Sequence, residues 1–293
     1  MGDSLAALRR RIKNAEDLQA VVTTMKAMSA ASITQFEQAV DALQDYCETV
    51  ELALSVSLRN TGEVATFEGQ DNHLAERCCG LVLLGSDQGM VGQFNEHIVD
   101  MVAGDIAKSS RRPKLWVVGE RVHARLENVG HEVDRLFPTP QSVDAIAPLV
   151  SDLLFEIESQ HTSHGVGEVR IYRNAPLTRS NYETRSARLL PLDRSWRDGL
   201  TSLPWPGKPL PEMIGGGAAS QGALISEYLF VSLYQACAAS CAAENSARLA
   251  AMQRAEKNID DQRRVLDLEH NHKRQSMIDE ELFDLISGFE ALS

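Results

Sequence analysis

The chain has 293 residues, 43% of them apolar, which is enough to build a large core. Its formal net charge of -12 argues against general nucleic-acid binding, which needs a basic surface. The opening MGDSLAALRRRIK has charges where the apolar centre of a targeting signal would stand, and runs such as LVLL are far too short to span a bilayer, so a soluble chain without such a signal is expected.

The first element is a long helix. Between Gly2 and Gly62 there is no glycine and no proline, and both residues end or weaken helices. A helix over 3–61 would reach about 85 Å. Stepping through it in threes and fours gives Leu5, Leu8, Ile12, Ala15, Gln19, Val22, Lys26, Ser29, Ile33, Phe36, Val40, Leu43, Cys47, Val50 and Leu54; twelve of these fifteen are apolar. That is a heptad seam, the mark of a left-handed coiled coil. The exceptions, Gln19, Lys26 and Ser29, cluster, and a seam turns polar where register is set or the partner changes.

The middle of the chain has another texture. GLVLLG (80–85), KLWVVG (114–119), EVDRLF (132–137) and EVRIYRN (168–174) read as strands, separated by helical patterns at 95–108, 120–129 and 142–160. Alternation of this kind predicts an α/β domain with a largely parallel sheet. A last strand pair is expected in NYETRSARLLPL. The stretch 203–217 reads as a loop.

After Gly222 the chain again lacks both breakers until Gly288, so a second helix of roughly 95 Å is expected over 223–287. It is apolar early, in ALISEYLFVSLYQACAA, and polar later, in EKNIDDQRRVLDLEHNHKRQ. A long polar helix is solvated or held in a polar sleeve. Helices this long must pack on each other, most simply antiparallel. The division that follows is 1–60, 75–205 and 218–293.

Candidate chemistry is sparse. SDQGMVGQFN (86–95) lies between a strand and a helix, where nucleotide-binding proteins hold phosphate. Its Gly85, Gly89 and Gly92 do not fit the G-x-G-x-x-G spacing, no P-loop lysine follows, and Asp87 would set a negative charge beside a phosphate. The reading is a tight structural turn whose glycines allow positive φ and close helix–sheet approach. His270 and His272 point in different directions on a helix, and His161 and His164 fall in an expected loop, so no metal set forms. The five cysteines, Cys47, Cys78, Cys79, Cys237 and Cys241, suit a reducing compartment, with the last two as small buried thiols on one helix face. No catalytic constellation and no cofactor site is expected.

Three segments together carry a resemblance. TTMKAMSAAS (23–32) is similar to T-x-A-M-x-M-V-A-A-S, SDQGMVGQFN to S-D-R-G-L-C-G-G-F-N, and ENSARLAAMQRAEKNIDD with RQSMIDEELFDLISG to E-x-A-A-R-M-x-A-M-x-x-A-T-x-N and R-Q-x-x-I-T-x-E-L-x-E-I-V-x-G. These are the signatures of the gamma-subunit family of F-type ATP synthases, and the resemblance spans nearly the whole chain. It implies a long antiparallel coiled coil of the terminal helices plus a central Rossmann-like α/β domain that binds no nucleotide. It implies a non-catalytic rotor that couples ion flow to ATP synthesis or hydrolysis. The implied partners are alpha and beta subunits around the helices, and an epsilon subunit and a ring of c subunits against the α/β domain. The implied place is the cytoplasmic side of a bacterial inner membrane, reached only through partners. Lys26, Met28, Arg274, Gln275 and Glu281 are the implied beta-subunit contacts.

The sequence departs from the pattern at several positions: Met25 and Lys26 stand for Ala and Met, Ser29 for Val, Ile33 for Lys, Gln88 for Arg, Gln93 for Gly and Asp279 for Thr. Two other architectures fit the element pattern alone, an α/β enzyme with helical oligomerisation arms and a free-standing coiled-coil adaptor.

Overall fold

A computed structural model describes residues 4–61, 78–108, 112–178, 181–192, 194–207 and 218–290. The expected boundary at residue 75 and the loop over 208–217 lie outside the described residues. The chain divides into two compact units, residues 1–29 with 249–293, and residues 30–248. The order is α1 (Leu5–Thr61), β1 (Cys78–Leu84), α2 (Phe94–Ile106), β2 (Lys114–Val118), α3 (Glu120–Asn128), β3 (Arg135–Phe137), α4 (Ile146–His164), β4 (Val166–Thr178), β5 (Asn181–Leu190), α5 (Arg194–Thr201) and α6 (Ala218–Glu290). The class is α/β, with one very long helix at each end.

α1 has 57 residues and α6 has 73, about 85 Å and 110 Å of helix. Every seam position from Leu5 to Leu54 is buried or half-buried. One set, Leu8, Ala15, Val22, Ser29 and Phe36, is at most 8% exposed. The alternate set, which holds Gln19 and Lys26, is half-buried as far as Lys26. The seam therefore has a tight row of small and apolar side chains beside a row that tolerates polar ones.

In the unit of 30–248 a five-stranded sheet runs β3-β2-β1-β4-β5. The first four strands are parallel and β5 is antiparallel to β4. Side chains alternate across it. Val82, Leu84, Trp116, Val118 and Ile171 join α4, the second half of α1 and the first half of α6 in one core. Leu81, Leu83, Leu115, Val117 and Tyr172 join α2 and α3 in the other, together with Ala243 and Ala247 of α6. With both faces covered, the parallel strands read as unbroken apolar runs.

Several expectations are corrected. NYETRSARLLPL forms one strand, β5, because its partner is the long β4 itself. His161 and His164 are helical, since α4 runs on until Gly165 ends it at φ 64°. α6 begins before Gly222, whose helix penalty of about 1 kcal/mol is offset by full burial of Ile225 one turn on. α5 falls where the sequence gives no helical pattern; its eight residues include Gly199 and bury only Leu200.

Close approach, not turn conformation, decides Gly85. A Cβ there would stand 2.1 Å from Val122 Cγ2. Gly85→Ala is expected to cost about 1–3 kcal/mol in chemical denaturation. Gly104, near the end of α2, has open space around it, and Gly104→Ala is expected to stabilise by about 0.4–1 kcal/mol. Equal effects of the two would refute the packing argument.

Candidate functional site

The turn after β1 is held from within. Gly85 N–H donates to Val118 O at 2.8 Å. Ser86 is fully buried; its N–H donates to Asn95 Oδ1 at 3.1 Å, and Asn95 Nδ2 returns a bond to Ser86 Oγ at 2.9 Å. Asp87 accepts from the backbone N–H of Glu120 at 3.0 Å and from that of Thr139 at 2.9 Å. The carboxylate therefore caps the N-terminus of α3 and ties it to the turn after β3. Gly92 takes φ 62°, and so does the non-glycine Met90. Gly89 faces Arg121 at ordinary contact distance.

In open α/β sheets the ligand crevice lies where strand order reverses, here between β1 and β4. α6 and the neighbouring strands occupy it. Ser240 Oγ donates to Leu84 O at 3.2 Å. Asn174, fully buried at β4, donates to Phe94 O at 2.8 Å and accepts from Thr184. One turn beyond Ser240, Glu244 and Arg248 form a buried i,i+4 pair at 2.6 Å, their side chains 9% and 10% exposed. Burial pushes the Glu244 carboxyl up and Arg248 pulls it back, with burial the larger effect and Asp87 adding to it. In the sequence only the spacing marks this pair: an acid and a base four apart in the alanine-rich run ENSARLAAM.

Cysteine chemistry is equally closed. Cys237 and Cys241 are buried and free, and burial pushes the Cys237 thiol up to about 12. Among the described residues no group of three His, Cys, Asp or Glu side chains is placed to hold a metal. No described helix is long and apolar enough to cross a membrane.

The other unit holds the remaining candidate residues. Lys26 Nζ donates to Glu256 Oε2 at 2.5 Å, both side chains over a quarter exposed. Gln19 donates to Asp260 at 2.8 Å, Arg263 bonds Gln19 and reaches Glu16 at 3.1 Å, and Arg9 donates to His270 at 3.3 Å. These pairs run antiparallel along the two helices, and Lys26 is one rung among them. Met28 is 65% exposed on the outer face of α1. Arg274, Gln275 and Glu281 are all exposed on α6. Arg274 lies about five turns beyond Glu256, so the five residues form no single cluster.

A sequence profile of the ATP synthase family matches residues 4–292. The chain belongs to that family. It is 26% identical over 300 residues to the ATP synthase gamma chain of Symbiobacterium thermophilum, covering all of this chain and 99% of the relative. It is 25% identical over 321 residues to that of Granulibacter bethesdensis, covering 99% of each. The fold is similar to a chain of the Euglena gracilis mitochondrial ATP synthase OSCP/F1/c-ring structure, with TM-score 0.65 and 16% identity over 98% of this chain and 94% of the other. The chain is thus a gamma-type subunit of the F-type ATP synthase central stalk, and it is non-catalytic.

Two measurements probe the geometry. Asp87→Ala leaves two backbone N–H groups without an acceptor and is expected to cost about 1–3 kcal/mol in denaturation; an unchanged midpoint would refute the capping role. A double-mutant cycle of Lys26→Met and Glu256→Gln is expected to give a coupling of about 0.3–1 kcal/mol, as suits a partly exposed pair. A coupling of zero would make Lys26 a space-filling member of the seam.

Proposed function

We propose that the chain is the rotating coupler of its synthase, with segments 1–60 and 218–293 as the shaft and 75–205 as the foot. The shaft is enclosed by alpha and beta subunits; the foot meets epsilon and the c ring. The membrane is reached only through those partners, on the cytoplasmic side of a bacterial inner membrane. The turn with Gly85, Asp87, Gly89 and Gly92 is structural in this reading.

The observation that carries the reading is the far end of α6. From residue 274 to 287 every side chain is exposed, among them Leu282, Phe283 and Leu285 at 56%, 70% and 71%. A run of large apolar groups in water on one helix end suits enclosure by other subunits. The charged groups beside them suit contacts that change with angle. Coupling requires each angle of the shaft to favour a different conformation of the catalytic subunits, which takes a difference in contact energy between angles. In this scheme Arg274, Gln275 and Glu281 supply polar contacts to a beta subunit, and Lys26 and Met28 supply contacts lower on the shaft.

Replacing Arg274 and Gln275 together by Ala is expected to lower ATPase turnover of the assembled complex about fivefold or more, equivalent to about 1 kcal/mol. The Tm of the isolated chain should not move, because neither side chain is buried. Unchanged turnover in a correctly assembled complex would refute the contact.

A further inference from the structure

The coupling role leaves unused a cavity of about 240 Å³ in the unit of 30–248, between β4, β5, α5 and the first half of α6. Its wall includes Arg173, Arg188, Trp196, Tyr228 and Ser232. Arg173 is the unusual member. It is half-buried, yet among the described residues no carboxylate pairs with it and no hydrogen bond holds it. Directly across the β4–β5 ladder stands another arginine, Arg185. Glu183 holds the Arg185 guanidinium at 2.9 Å, on the same strand, and leaves Arg173 unmatched.

Burial, and then Arg185, depress the Arg173 guanidinium. The group near it on α6 is the Cys237 thiol, which is held protonated and so brings no neutralising charge. A guanidinium drawn partly out of water is ordinarily paired, because desolvation without a partner is unfavourable. Arg173 has the opposite arrangement: like charge across the strand pair, open space in front. The space is bounded by an aromatic pair, Trp196 and Tyr228, with ring centroids 5.3 Å apart. Guanidinium binds phosphate-type oxyanions through two parallel N–H donors.

We propose that this cavity binds a small phosphate-type oxyanion through Arg173, with Trp196 and Tyr228 walling any short apolar substituent. Its volume is below the range that holds drug-sized ligands and above the need of a bare oxyanion. The site is independent of the coupling role.

The test is thermal unfolding of the full chain in inorganic phosphate, in phenyl phosphate and in sodium chloride of matched ionic strength. Phosphate at saturation is expected to raise Tm by roughly 2–6 °C over the chloride control. A larger rise with phenyl phosphate assigns the site to an organic phosphate; an equal rise assigns it to the free ion. Arg173→Met should abolish the rise while leaving the Tm in chloride at or above that of the parent. Arg173→Lys, which keeps the charge but not the two-pronged donor, should weaken the apparent affinity about threefold or more, and it carries the test should the Met variant not fold. No rise in the parent overturns the proposal and leaves the cavity to a side chain of another subunit. So does an equal rise in every variant.

Discussion

Antiparallel pairing of α1 with α6 is the constraint on which the rest depends. A helix of 57 residues cannot cover its own apolar stripe. In the larger unit the solution is a shared core: Phe36, Val50 and Leu54 of α1 meet Ile225, Leu229 and Leu233 of α6 in the same cluster as one face of the sheet. The sheet's other face is closed by α2 and α3, so both faces are dry. Among the described residues of the smaller unit there is no strand. Only two helices are available, and the buried apolar set shrinks to residues such as Leu8, Ala15, Val22, Met252 and Leu266.

A seam that thin holds two helices together without deciding their register. A slip of seven residues would return apolar side chains to apolar positions, because the repeat is seven. The polar rungs break that degeneracy. Glu16 with Arg263, Gln19 with Asp260, and Lys26 with Glu256 fit one register and are lost in the next. Polar groups at seam positions sacrifice some stability for uniqueness. The half-buried setting keeps the sacrifice small, since each group retains part of its water.

Much of this was legible in the sequence because periodicity is a one-dimensional signal. The seam from Leu5 to Leu54, the strands at 80–84 and 114–118, and the polar turn in the character of α6 all follow from it. What was not legible depends on distant pairs. Asp87 in the sequence is a charge that would repel phosphate; in the structure it caps α3 and holds the Thr139 backbone, through partners 33 and 52 residues away. Lys26 read as an exception to the seam, and its acid stands 230 residues on. α5 was lost for a different reason: eight residues with one buried leucine carry too little period to register. Gly222 reads as a breaker by propensity alone, and the helix runs through it because Ile225 beside it is fully buried.

The same physics closes the crevice that a nucleotide-binding layout leaves open. The crevice at the strand reversal is the natural ligand position of an open sheet. In a binding protein the ligand completes it. Here α6 does, through Ser240 on the Leu84 carbonyl, Ala243 and Ala247 in the core, and the buried Glu244–Arg248 pair one turn later. Each of these contacts is made by a small or a paired side chain, so the helix lies close against the sheet. Removing Arg248 would strand a buried carboxylate, which is far costlier than losing a surface charge. A stalk subunit must keep a 73-residue helix from turning against its own sheet. The Ser240 hydrogen bond to the Leu84 carbonyl resists that rotation better than apolar packing alone, because rotation of a helix by a fraction of a turn keeps apolar contacts but breaks a directional one, while the Glu244–Arg248 pair lies within α6 and turns with it.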